Sequence, residues 1–294
     1  MRRVLYFLYL LNFLYFLSAC RPPSQTITIG SKFFTEQVIL AELLAQHIEA
    51  RTGLHVIRKS NLGGTLLCHK ALLSGDLDVY VEYTGTALTA VLSESPGADS
   101  ASTIYNRVKQ GYAAHFPLEV IEPLGFENTF AMVVRGTDAR QLHLRTISDI
   151  IPLAPHWRAG FGFEFLERPD GYKGWSQRYG LHFAGQPSVM DLGLIYRALV
   201  DKKVDVVAGN STDGLIAALD LVPLADDRHY FPPYDAVPIV RRDTLAKFPQ
   251  LRAALADLAG KVSADDMRRL NAAVDADQRD PAAVVREFRS VRGL

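Results

Sequence analysis

No charge of one sign dominates this sequence. Lys and Arg together number 32, and so do Asp and Glu, so there is no electrostatic footprint for nucleic acid or an anionic bilayer. Familiar catalytic signatures are missing too. There is no G-x-S-x-G elbow, no P-loop, no H-E-x-x-H and no C-x-x-C. "GFGFEF" (160–165) contains G-x-G but places Phe165 where a dinucleotide fingerprint needs its third glycine. The eight histidines are scattered without ligand spacing, so neither a metal nor a cofactor is expected. Asp76, Asp78 and Glu82 cluster, but nothing supplies the remaining oxygen ligands of a cation site. They read as a solvated turn and strand edge. Cysteine is scarce: only Cys20 and Cys68 exist.

What is present starts with a leader. Arg2 and Arg3 precede the apolar run "VLYFLYLLNFLYFL" (4–17), followed by Ser18 and Ala19, the layout of a secretory signal. The run is shorter than the ~20 residues a membrane span needs. "LSAC" (17–20) resembles the lipobox of bacterial lipoproteins, which implies cleavage of residues 1–19 and lipidation of Cys20. Residues 20–25 then form a polar tether, anchored to a bacterial membrane at the periplasm or cell surface. Arg21, in place of Asp, gives no argument for inner-membrane retention. With Cys20 lipidated, Cys68 has no partner for a disulfide. In "TLLCHKALL" it reads as a small buried hydrophobe on a helix.

The remaining chain of about 275 residues is long enough for two lobes, each with its own core. β-rich runs alternate with amphipathic helices, the pattern of an α/β fold with mainly parallel sheets. "TITIG" (26–30) is a strand. A helix follows over 35–50, with Thr35 as N-cap and an apolar stripe at 39, 40, 43, 44 and 48. "HVIRKS" is the next strand, and "LGGT" (62–65) leads to a helix capped by Thr65 and stopped at Gly75. "DVYVEYTGTAL" (78–88) supplies a third strand with Val79 and Val81 on its buried face. "ENTFAMVVR" (127–135) and "DVVAGNSTDGLIAAL" (205–219) repeat the character, the latter with Ser211 or Thr212 as helix cap. The tail is helical: "RRDTLAKFPQLRAALADLAG", then a helix opened by a Ser263–Asp266 capping box, then one with Asp280 as N-cap and Pro281 at N1. "IEPLGFENT" (121–129) and "FPPYDAVPIV" (231–240) are short and Pro-bearing, as two hinge crossings would be. These divisions give a discontinuous lobe 1 (26–126 and 236–294) and lobe 2 (127–235), with a ligand cleft between them.

Seven stretches fall in an ordered series: "TIGSKFFTEQVILAELLAQ", "LGGT", "ALLSGDLDVYVEYTGTAL", "LGFENTFAMVVR", "FEFLERPDG", "STDGLI" and "DDRHYFPPYDAVPIVR". Together they resemble the substrate-binding proteins of osmoprotectant ABC transporters, which take up glycine betaine, choline and carnitine. The likeness covers roughly residues 26–280. It implies a type II periplasmic-binding-protein fold, a monomeric non-enzymatic receptor, a quaternary ammonium ligand, and ABC permease subunits as partners.

Carried over by position, the resemblance implies that Lys32 and Arg168 meet the ligand carboxylate and that Thr86 donates to it. Tyr83 and Tyr234 become cage rings, while Gly85 lets the backbone come close. Asn128 and Phe130 fall where the family has an acidic or amide residue and a tyrosine, so Phe130 keeps the π face without the hydroxyl. Asn210 stands where relatives place an aromatic residue. Such residues suit the chemistry. A trimethylammonium group has no N–H, and aromatic faces attract it at ~2 kcal/mol or more when desolvated. A carboxylate wants Arg and supporting donors. Singly, the rings read as core, the cations as surface charges and Asn210 as a turn residue; together they read as a site. The departure at Asn210 leaves open ergothioneine or another cationic or amino-acid-like solute. A periplasmic enzyme and a surface adhesin or sensor are the remaining readings.

Overall fold

Strand and helix alternate from the start of the computed structural model, which describes residues 25–294. The expected leader and Cys20 lie outside the described residues. β1 (Thr26–Gly30) leads to helix α1 (Thr35–Thr52), which Gly53 ends in the left-handed conformation, φ 69°. β2 (His55–Lys59) precedes helix α2 (Thr65–Ser74), ended in the same way by Gly75 at φ 85°. β3 (Val79–Tyr83) and β4 (Leu118–Val120) complete this half. Then come β5 (Phe130–Arg135), β6 (Ala159–Phe161), β7 (Ser188–Val189), β8 (Val206–Asn210) and β9 (Leu221–Leu224). β10 (Ala236–Arg241) is the last strand, and helices follow it to the C-terminus.

The strands form two five-stranded sheets, ordered β2-β1-β3-β10-β4 and β7-β6-β8-β5-β9. Each has one strand antiparallel to its neighbours: β10 between β3 and β4, and β5 between β8 and β9. Those two are the strands that the chain enters directly after each crossing. This is the type II periplasmic-binding-protein arrangement, two α/β lobes joined by a two-crossing hinge. The crossings run side by side, with Asn128 N–H donating to Tyr234 C=O at 3.1 Å and Ala236 N–H to Phe126 C=O at 3.1 Å.

Apolar clusters cover both faces of each sheet, which explains a departure from alternation. All five residues of β3 are buried, Tyr80 and Glu82 along with Val79 and Val81. The expectation that Glu82 lies on a solvated edge is therefore wrong; it is wholly buried and ion-paired with Lys32. The helical tail after β10 opens with two short helices, Arg242–Lys247 and Gln250–Ala256, separated at Phe248 and Pro249. Pro lacks the N–H that a continuous helix would need there.

The expected caps divide by range. Ser263–Asp266 forms the capping box, and Asp280 accepts from Ala283 N–H at 2.9 Å with Pro281 next in line. Thr35 does not cap α1: its hydroxyl donates to Asp275 at 2.5 Å, and Phe34 occupies the cap position. Thr65 is the first helical residue, after Gly64 at the cap. Neither Ser211 nor Thr212 caps the helix Leu215–Ala218, where Gly214 stands. In each failed case a distant partner has claimed the hydroxyl, or the turn runs further than expected. Cys68 is fully buried on α2, and burial pushes its thiol pKa up to about 12.

Candidate ligand-binding site

A cavity lies where the two sheets face each other, between the carboxyl ends of β3 and β8 and the crossings. Lys32, Tyr83, Thr86, Asn128, Phe130, Arg168, Asn210 and Tyr234 all line it. Its walls also include Phe33, Phe34, Phe163, Glu164 and Phe165. The free volume is about 40 Å³, room for a few waters. The space is tight because cationic side chains lie against the rings. The Arg168 guanidinium sits 4.8 Å from the Phe130 centroid and 5.8 Å from that of Tyr234. Lys32 Nζ sits 4.9 Å from the Tyr83 centroid.

Gly85 lies close against the second crossing. A Cβ there would lie 2.6 Å from Tyr234 Cδ1 and 2.7 Å from Pro233 C=O. The missing side chain makes room for the Tyr234 ring to pack against the turn after β3.

Both cations are matched inside the protein. Lys32, 1% exposed, pairs with Glu82 and donates to Thr65 Oγ1 at 3.1 Å. Arg168 Nε donates to Asp170 Oδ1 at 2.9 Å and Nη2 to Oδ2 at 2.5 Å, a bidentate pair. Tyr234 Oη donates to the same Oδ2 at 2.6 Å. Burial opposes the charge on each partner, yet their mutual attraction prevails. The Asp170 carboxyl is held below its ordinary range, and the Arg168 guanidinium is held above its own.

Sequence reasoning missed the group behind the cavity. Glu36, 1% exposed on the first turn of α1, accepts four hydrogen bonds. Tyr83 Oη (2.5 Å) and Asn128 Nδ2 (2.9 Å) donate to Oε1, and Thr212 Oγ1 (2.5 Å) and Asn271 Nδ2 (3.1 Å) to Oε2. Burial raises the carboxyl's pKa, and the four donors oppose that rise without cancelling it. Tyr83 and Asn128 are therefore oriented by Glu36, and their polar groups are largely spent on it. The signal in the sequence was an acidic residue two positions after "KFF", but nothing local reveals its partners.

Asn210 is also partly committed. It lies opposite Phe130 in the β5–β8 register. Its backbone N–H donates to Asp213 Oδ2 at 2.9 Å, and its Nδ2 reaches Asp213 Oδ2 and Oδ1 at 3.2 and 3.4 Å. The carboxylate, itself held by Tyr196 Oη at 2.5 Å, thus turns the amide nitrogen towards itself. Burial pushes the Asp213 carboxyl up to about 6 despite these donors.

A family model for the substrate binding domain of ABC-type glycine betaine transport systems matches residues 25–290. The chain belongs to this family. It is an ABC-importer substrate-binding protein of the osmoprotectant type. It is 37% identical over 281 residues to the carnitine transport binding protein OpuCC of Listeria monocytogenes, covering 93% of this chain and 91% of that protein. It is 31% identical to the ergothioneine transport permease/ergothioneine binding protein EgtU of Helicobacter pylori, with 99% of this chain matching 52% of that one. Among solved structures, a glycine betaine/carnitine/choline ABC transporter protein superposes with TM-score 0.76 at 35% identity, covering 91% of this chain and 98% of that one. For a substrate-binding protein, the two-sheet placement of the cavity has a direct meaning: its walls come from both lobes, so its shape depends on how far the lobes are closed.

Proposed function

We propose that this substrate-binding protein takes a quaternary ammonium zwitterion between its lobes and delivers it to an ABC permease. One observation carries the reading: rings and cations from both sheets meet at one cavity, including all eight residues expected from the sequence. Phe130, Tyr83 and Tyr234 offer faces to a trimethylammonium group, while Arg168, Lys32 and Thr86 offer donors to a carboxylate. Because Arg168 already covers two of the rings, the ligand's cation takes its place only as the guanidinium shifts towards the carboxylate end.

Asn210 favours one kind of ligand. With Nδ2 turned to Asp213, the carbonyl oxygen is the part left for a ligand, and it accepts hydrogen bonds only. Glycine betaine has no donor to give it. The hydroxyl of carnitine and the imidazole N–H of ergothioneine do, and relatives named for both compounds match this chain. Carnitine is the leading candidate and ergothioneine the second.

In this reading the lobes divide at 126/127 and 235/236, the protein acts as a monomer, and Cys20 carries the lipid anchor on the outer side of a bacterial membrane. Calorimetry of the mature protein with carnitine, ergothioneine, choline and glycine betaine tests it, with carnitine or ergothioneine expected to bind more tightly than glycine betaine. Failure of all four to bind at millimolar concentration refutes the ligand class.

A further inference from the structure

One contact crosses the cleft without belonging to either the rings or the carboxylate donors. Glu164 lies in the short helix Phe163–Glu167, beyond β6 of the second sheet. Its Oε1 accepts the backbone N–H of Thr65, the first residue of α2 in the opposite lobe, at 2.9 Å. The partners are 99 positions apart. α2 has no side-chain cap of its own: Gly64 holds the cap position and has nothing to offer the free N–H groups. The carboxylate that completes this end therefore comes from the other lobe, where it also meets the positive end of the helix dipole.

Gly64 is what lets it arrive. A Cβ at Gly64 would lie 2.3 Å from Glu164 Oε1 and 3.1 Å from its Cδ. The backbone at Gly64, φ −81° and ψ −177°, is extended, so alanine is accommodated there in every respect except this approach. Thr65 also holds Lys32 Nζ through its hydroxyl, tying the contact to the cavity wall.

We infer that Glu164 is an affinity-setting positioning residue: it caps α2 across the cleft only when the lobes are closed, and so stabilises the closed form without gripping the ligand. This rests on the reading of the cleft as the ligand site, but the contact itself can be measured without any ligand. Gly64→Ala and Glu164→Ala remove the same bond from opposite sides. Alanine at 64 pushes away only the end of a flexible side chain, so the variant folds.

With the closed form populated in the ligand-free protein, amide hydrogen exchange at Thr65 is expected to speed up in either variant, while that at Leu72, inside α2, stays unchanged. With L-carnitine as probe, each variant is expected to bind more weakly, and the factors lost in exchange protection and in affinity should multiply to roughly tenfold, the loss of one charge-assisted bond. The double variant should be no weaker than Glu164→Ala alone. Unchanged Thr65 exchange in Glu164→Ala overturns the inference, as do losses that add in the double variant. If wild type does not bind carnitine, that ligand assignment fails and the exchange data alone decide the inference.

Discussion

Replacing Tyr234 with Phe removes one atom and tests how the cavity's charges are held. In the wild type Tyr234 Oη donates to Asp170 Oδ2 at 2.6 Å, from a residue only 2% exposed. A hydrogen bond to a charged group contributes about 1.5–3 kcal/mol. In the variant Oδ2 keeps Arg168 Nη2 at 2.5 Å, so the carboxylate is not stranded, and the loss belongs at the lower end, about 1.5–2 kcal/mol. For a chain of this size each kcal/mol shifts Tm by about 2–4 °C, so a fall of about 3–8 °C is expected in a thermal melt. The effect depends on pH. Asp170 has a folded pKa below its ordinary value, so its stabilisation is present above that value and disappears as pH falls through the folded one. Loss of a donor moves the folded value upward, so the gap between wild type and Tyr234→Phe should narrow in acid. The ring remains, so affinity for the ligand should change less than tenfold. Tyr234→Ala removes the ring as well and should cost about thirtyfold, from ~2 kcal/mol of cation–π attraction. A Tyr234→Phe variant with unchanged Tm but tenfold weaker binding would refute the reasoning, because the hydroxyl would then be serving the ligand and not Asp170.

Three further outcomes follow from the same geometry. Glu36→Ala strands the donors of Tyr83, Asn128, Thr212 and Asn271, and urea titration should show a loss of about 2–4 kcal/mol after relief of carboxylate burial. Because the folded Glu36 pKa is raised, its contribution is fully present below about 4.5 and lost as pH rises through the folded value; the difference from wild type should be larger at pH 5 than at pH 8. Lys32→Met leaves Glu82 charged and buried without its partner, with an expected cost of about 3–5 kcal/mol by chemical denaturation, and Lys32→Met with Glu82→Gln should recover much of it. Cys68 should resist a thiol reagent at pH 8 in the native protein and react only on unfolding, since it is fully buried with a pKa near 12.

The local parts of this architecture were written in local patterns. Alternation marked β1, an apolar run after a Gly-bearing turn marked β5, glycine ended α1 and α2, and Ser263–Asp266 and Asp280 capped their helices as their spacing implied. Each depends on residues a few positions apart, where propensity and capping act directly. The motif series also named residues from 32 to 234 that surround one cavity. It succeeded because most of them sit at or just past the end of a strand or on a crossing, with Arg168 at the end of the short helix after β6, and strand order brings such ends together.

The amino-acid sequence by itself thus determined which segments become strands and helices, and which rings and cations are available at their ends. Only the tertiary structure decided how those groups are engaged. Glu36 and Thr212 are 176 positions apart, Glu164 and Thr65 are 99 apart, and Lys32 and Glu82 are 50 apart. A charge read singly as a surface group turned out to be buried and paired, because a sheet covered on both faces leaves its middle strand no solvent to face. The Thr35 and Thr65 hydroxyls left the local cap geometry for Asp275 and Lys32. No short-range pattern encodes such partners: a buried polar group must be satisfied by whatever the fold brings within hydrogen-bond reach, and that depends on the packing of the whole chain.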